Sequence, residues 1–161
     1  MFVFSLKAEN VKKAAAVIVA VALILTCAYL LLMKGEKSKD AVKNGISTKA
    51  ENAEDRIAFI SQFGYEVNEE PLKVEEVIIP EEFDEKYSEY NEIQKKQSFD
   101  LEKYKGCRVK KWTYEVTNYT GYENESSVIE INLLVYNSLV VGADIQCLEQ
   151  DGFLKALCDK S

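Results

Sequence analysis

Histidine does not occur anywhere in the 161 residues. Its absence excludes Ser-His-Asp and Cys-His nucleophiles, histidine general bases and histidine metal sites, and with them most common hydrolase mechanisms. Glycine is scarce, with seven residues. None is grouped as G-x-G-x-x-G or G-x-x-x-x-G-K, and the glycine of "VVGAD" stands alone inside a strand-like run, so phosphate-cradling loops have no support. The four cysteines show no C-x-x-C spacing, which removes a thioredoxin-like redox site and a zinc knuckle. Nothing resembles the D-x-D-x-D-G pattern of a calcium loop. These absences point to no cofactor, no resident metal and no enzyme.

What is present is unevenly distributed. The chain is 47 % hydrophobic, enough for one sizeable core but hardly two. The net charge of −7 hides a split: residues 1–50 carry eight lysines against three acids, and residues 51–161 carry twelve bases against twenty-four acids. Within the first part, "KKAAAVIVAVALILTCAYLLLMK" holds twenty uncharged residues from Ala14 to Met33. As a helix at about 1.5 Å per residue it reaches roughly 30 Å, the thickness of a bilayer's hydrocarbon core. It shows no polar stripe and is followed by no small-residue cleavage pattern, so it reads as an uncleaved single-pass anchor. The expected organisation is a tail over 1–13, an anchor over 14–33, a polar tether over 34–51 and a domain over 52–161. Lysines flank the span on both sides, but a short tail ahead of a first apolar segment is the usual layout of a signal anchor. The domain is therefore expected outside the cell, with the cytosolic orientation as the alternative.

Periodicity predicts an α+β domain of order α-β-β-α-β-β-β, an antiparallel sheet with its helices on one face. The first helix is read at "NAEDRIAFISQFG", capped by Asn52, with Ala53, Ile57, Ile60 and Phe63 as its apolar stripe and Gly64 as its stop. "YEVN" and "LKVEEVII" read as strands, the second with a bulge at Glu75 and Glu76 where its apolar side changes phase. A second helix follows Pro80, with Glu81, Glu82 and Asp84 in its first turn and Phe83, Tyr87 and Tyr90 facing the core. Asp100 caps a short turn closed by Gly106. Three strands complete the order: "CRVKKWTYEVTN" with Trp112, Tyr114 and Val116 on one face, "SSVIEINLLVYN" apolar on both sides, and "LVVGADIQC" with Leu139, Val141, Ala143 and Ile145 on one face. Asn137-Ser138 serves as a two-residue hairpin turn, and "DGFLKAL" as a terminal helical turn. Cys107, Cys147 and Cys158 fit either one disulfide with a free thiol or three buried thiols. Asn118 and Asn124 match the N-glycosylation pattern.

Two constellations bear on chemistry. Scattered acids such as Asp84, Glu85, Glu89, Asp144 and Asp151 keep alive a carboxylate-based enzyme acting on cell-wall glycans, which needs only two facing acids, but no motif surrounds them. From Lys95 to Lys111 seven bases are interleaved with Phe99, Tyr104 and Trp112. On an acidic extracellular domain such a seam suits pairing with the domain's own acidic half, or contact with a protein or an anionic wall polymer, rather than nucleic acid. The candidate contact residues are Lys105, Arg108, Lys110, Lys111 and Trp112.

The stretches "DRIAFISQFGYEV", "VIIPEEFDEKYSEYNEIQKKQSFDLEKYKG", "WTYEVTNY", "NLLVYNSLVVGADI" and "DGFLKAL" together resemble an uncharacterised family of small extracytoplasmic domains of Gram-positive bacteria, found behind a single membrane segment. The resemblance covers nearly all of Asp55 to Leu157. It departs at Tyr65, where tryptophan is usual, and at Ser98, where glycine is. It implies a location and a fold and assigns no catalytic residue.

Overall fold

The computed structural model describes residues 42–43, 45–122 and 127–159. The expected tail and the expected anchor over 14–33 lie outside them, and among the described residues no helix is long and apolar enough to cross a membrane. The chain divides into two compact units, Met1–Lys39 and Asp40–Ser161, and the fold described below is that of the second.

The unit begins with two short strands, β1 (Val42–Lys43) and β2 (Ile46–Ser47), paired antiparallel. Next come helix α1 (Ala53–Ser61), strand β3 (Lys73–Ile78), helix α2 (Glu85–Lys96) and a 3₁₀ turn at Leu101–Tyr104. Strands β4 (Arg108–Glu115), β5 (Ile129–Tyr136), β6 (Leu139–Cys147) and β7 (Leu154–Lys155) complete it. Strands β3 to β7 form one sheet in sequence order, each pair antiparallel. The α+β class is therefore present, and β5, apolar on both sides, is its central strand.

Local chemistry explains the ends of the elements. Asn52 accepts the Asp55 N–H at 2.8 Å and Asp84 the Tyr87 N–H at 2.8 Å, each capping a helix start. With Asp84 as the cap, Glu81 and Glu82 precede α2 instead of filling its first turn. Asp100 accepts from the Glu102 N–H to start the 3₁₀ turn. Asn137 and Ser138 both have positive φ, 47° and 62°, the pair of left-handed residues that a two-residue hairpin with native twist requires.

The sheet carries a helix on each face, not both on one. Strand residues point alternately to the two sides, and both sides are covered. Phe59, Ile60 and Phe63 of the α1 segment pack with Tyr114, Val116, Ile131, Leu133 and Ile145. Tyr87 and Tyr90 of α2 pack with Leu101, Val109, Leu134 and Val141 on the other side. A bulge between Leu134 and Val135 in the β5–β6 pairing turns Val141 away from the Ala143 and Ile145 side. The four-residue stripe expected on β6 is thereby split.

Other expectations fail for similar reasons. No bulge interrupts β3, whose register with β4 runs unbroken from Lys73↔Thr113 to Ile78↔Arg108. Its change of apolar phase instead leaves Leu72, Val74 and Ile78 exposed on this edge strand while Val77 and Ile79 face α2. "YEVN" contributes a single bridge, Val67↔Val116. "DGFLKAL" contains strand β7, since the chain doubles back and Leu154 and Lys155 pair with Gln146 and Ile145. The end of the stretch expected as a tether packs onto the domain. Val140 N–H donates to the Thr48 carbonyl at 2.8 Å, Ala50 N–H donates to Ser138 at 2.8 Å, and Ala50 is buried.

Because β7 pairs only with Ile145 and Gln146, Ala143 has no strand neighbour on that edge. Two glutamines replace it. Ala143 N–H donates to Gln94 Oε1 at 2.8 Å, Gln97 Nε2 donates to the Ala143 carbonyl, and Gln97 Oε1 accepts the Leu157 N–H at 3.1 Å. Side-chain amides reproduce the donor and acceptor of a missing backbone here.

Candidate functional site

The α1 stripe is rotated from its expected phase. Arg56, Phe59, Ile60 and Phe63 are the buried positions while Ala53 is exposed, so an arginine occupies the first place of an i, i+3, i+4, i+7 pattern. Arg56 is 6 % exposed. It points along the sheet face carrying Trp112 and Tyr114, its Nε donating to the Tyr114 hydroxyl at 2.9 Å. Its guanidinium carbon lies over the Trp112 ring, 3.6 Å from the centroid, the cation–π contact that arginine makes on aromatic faces.

Arg56 and Trp112 line a pocket of about 330 Å³. Its walls are Ala50 and Glu51 from the N-terminal strap, Glu76 from β3, Arg108, Lys110 and Trp112 from β4, and the hairpin tip at Asn137 and Ser138. The chain has two arginines and one tryptophan, and all three line it. The lining carries three cations against two acids. Each acid is already engaged by a neighbour at the surface: Glu76 by Arg108 at 3.1 Å and Glu51 by Lys49 at 3.2 Å. Among the described residues the Arg56 guanidinium forms no ion pair. Its charge is held by one neutral hydroxyl and one ring, an arrangement costly to bury without a counter-charge.

Of the residues singled out from sequence, Arg108, Lys110 and Trp112 meet in this pocket. Lys105 does not: its Nζ lies 4.6 Å over the Phe83 ring, beyond the end of the 3₁₀ turn. Lys111 alternates to the opposite face, across from Glu75 and Leu134. The basic seam is thus divided by the pleat of β4, since a strand cannot present consecutive residues to one side. Other lysines of the seam pair locally, Lys95 with Glu92 and Lys96 with Asp159. Arg56, Glu51 and Glu76 were missed, although Arg56 was visible as the polar member of an otherwise apolar helical repeat.

A second polar cluster lies under α2. Asp144, 2 % exposed, accepts from the Tyr90 hydroxyl at 2.7 Å and from Asn132 Nδ2 at 2.8 Å, while Thr113 donates to Asn132 Oδ1 at 2.8 Å. Burial pushes the Asp144 carboxyl above its ordinary value, opposed by its two hydrogen bonds and by Lys111. Burial, with the Asp144 charge beside it, holds the Tyr90 phenol well above its own, so it stays a donor. This cluster is closed over by the helix.

Cys107, Cys147 and Cys158 are free thiols, half-buried, buried and exposed respectively. Asn118 uses both ends of its amide on the chain itself, accepting from the Glu66 N–H and donating to the Gly64 carbonyl. Asn124 lies outside the described residues.

Residues 59–145 match a family model described as Domain of unknown function (DUF4830). The chain belongs to this family. The match runs from Phe59 in α1 to Ile145 near the end of β6, so it includes the β4 and hairpin walls of the pocket and begins three residues after Arg56. The strap wall and the buried arginine are added to the DUF4830 stretch from its N-terminal side. No curated protein and no solved structure matches the chain.

Proposed function

We propose that this DUF4830 domain is a ligand-binding module and not a catalyst, and that its chain is held at the membrane by the apolar run from Ala14 to Met33 with the domain outside the cell. The observation that carries the binding reading is the pocket in which Arg56 lies over Trp112 without an ion-pair partner among the described residues. A buried cation held ready by a hydroxyl and an aromatic ring is preorganised for a partner that supplies the missing charge. The anchor reading rests on the length and apolarity of the run.

The two parts are tested separately. A photoreactive residue placed at Ser138, on the pocket rim, captures the partner in living cells, and the same residue placed at Glu89, on the exposed side of α2, does not. Equal capture from both positions refutes the pocket. A membrane-impermeant maleimide applied to intact cells modifies the exposed Cys158, and a chain with both Cys158→Ser and Cys107→Ser loses that labelling. Labelling that requires prior lysis overturns the outward orientation.

A further inference from the structure

Resting on that binding reading, the shape of the pocket narrows its ligand. We infer that the pocket recognises a single carboxylate, that of a peptide chain end, gripped end-on by the two terminal amino groups of Arg56 and flanked by Trp112.

The first ground is the geometry of the arginine. A guanidinium offers two double-donor edges, one made by Nε with a terminal nitrogen and one by the two terminal nitrogens. Tyr114 occupies Nε at 2.9 Å, which leaves the end-on fork as the free edge. Two parallel N–H donors match the two oxygens of a carboxylate. Arg56 is 6 % exposed and lines the pocket, so the fork is fixed by the fold and carries little rotamer entropy to lose. The chain has eighteen lysines and two arginines, and both arginines stand at this one site, where forked geometry matters and a point charge would not serve as well.

The second ground is charge. Arg56, Arg108 and Lys110 against Glu51 and Glu76 leave the lining one unit positive. One negative charge balances it. A phosphate, carrying more charge and needing more donors, would meet the two glutamates. Size agrees: about 330 Å³ is at the small end of ligand pockets, roughly 300–1,000 Å³, suited to the last residues of a chain and not to a polymer lying across the site. Asn137 and Ser138, exposed at the hairpin tip, line the rim of the pocket, where the backbone that leads away from such a chain end would pass.

The only tryptophan of the chain is the residue under the guanidinium, so intrinsic fluorescence reads the site directly. The full chain in a mild non-ionic detergent is titrated with acetyl-Ala-Ala bearing a free carboxylate, with the same dipeptide as its C-terminal amide, and with inorganic phosphate. The expected result is a saturable change for the free carboxylate, with the amide and phosphate weaker by at least about tenfold. Arg56→Lys, which keeps the charge and loses the fork, weakens the free peptide by about tenfold or more. Arg108→Ala and Lys110→Ala, both at exposed positions, weaken it by about two- to fivefold. An amide that binds as well as the acid, phosphate that binds as tightly, or an Arg56→Lys chain that is folded by circular dichroism and binds normally overturns the inference. If Arg56→Lys does not fold, the acid-against-amide comparison on the native chain decides alone. An amide that binds equally, together with rim-specific crosslinking at Ser138, sinks the carboxylate inference while the binding module stands.

Discussion

Gln97 and Gln94 are both buried on α2 or at its end, and both hold the Ala143 edge of β6, yet their replacement by methionine has unequal consequences. Methionine is close to glutamine in length and volume, so cavity costs are small and polar satisfaction dominates. Gln97→Met strips partners from the Ala143 carbonyl and the Leu157 N–H. At about 1–3 kcal/mol for each buried backbone group left unpaired, the loss is about 2–6 kcal/mol. Gln94→Met leaves the Ala143 N–H as the one backbone group without a partner, since Gln97 Nε2, which also donates to Gln94 Oε1 at 3.4 Å, keeps the Ala143 carbonyl. It also removes Gln94 Nε2, a buried nitrogen with no hydrogen-bond partner among the described residues, so one orphan replaces another and the net change is about 0–1 kcal/mol. Against a total of about 5–15 kcal/mol for an ordinary domain, Gln97→Met is severe and Gln94→Met is mild. Urea unfolding of residues 40–161, followed in parallel by far-ultraviolet circular dichroism and Trp112 fluorescence, measures both midpoints and checks two-state behaviour. A Gln94→Met chain as damaged as Gln97→Met, or more so, refutes the claim that these amides stand in for a strand.

Ser98 has φ of 67°, a left-handed conformation that disfavours any side chain, so Ser98→Gly is expected to raise stability by about 0.5–1 kcal/mol, read as a higher urea midpoint. Gly142 faces the opposite constraint: a Cβ there would stand 3.1 Å from both Leu101 Cδ2 and Leu134 Cδ1. Gly142→Ala is therefore expected to cost about 1–3 kcal/mol in the same assay. For Asp144 the folded state binds its proton more tightly than the unfolded state does, because burial raises its carboxyl above its ordinary value. Its contribution to stability is then fully present below the ordinary carboxylate range and is lost as pH rises through the higher folded value. Asp144→Asn removes that component, and thermal unfolding across mildly acidic pH is expected to show a flatter profile for the variant, with no loss at neutral pH. A profile parallel to that of the native chain contradicts the assignment.

Hydrophobic period and turn chemistry made the element order largely readable. The caps at Asn52, Asp84 and Asp100, the hairpin at Asn137-Ser138 and the β4 face of Trp112, Tyr114 and Val116 all depend on neighbours a few residues away. Side assignment was harder, since it depends on partners far along the chain. Nothing local to α1 or α2 says which face of the sheet each will cover, and the bulge that diverts Val141 exists only in the pairing of β5 with β6. Short β7 was taken for a helical turn because two paired residues carry no period. The basic seam, uniform in composition, was read as one surface until the pleat of β4 divided it. Ser98 was marked as a place for glycine, and its positive φ supplies the reason. Arg56 was overlooked because a charge inside an apolar stripe reads as solvent-facing, whereas here a hydroxyl and an indole make burial tolerable.

The strap formed by Thr48, Ala50 and Glu51 couples the chain's entry into the domain to the state of the pocket. It clasps the hairpin tip through two backbone hydrogen bonds, Val140 to Thr48 and Ala50 to Ser138, and its Ala50 and Glu51 are one wall of the site. Traction on the amino-terminal side that unfastens this clasp dismantles that wall while the five strands stay together. By reciprocity, any occupant resting on the wall would resist the traction by as much free energy as the clasp adds to its own hold, so occupancy of the pocket and tension on the incoming chain would be two readings of one equilibrium.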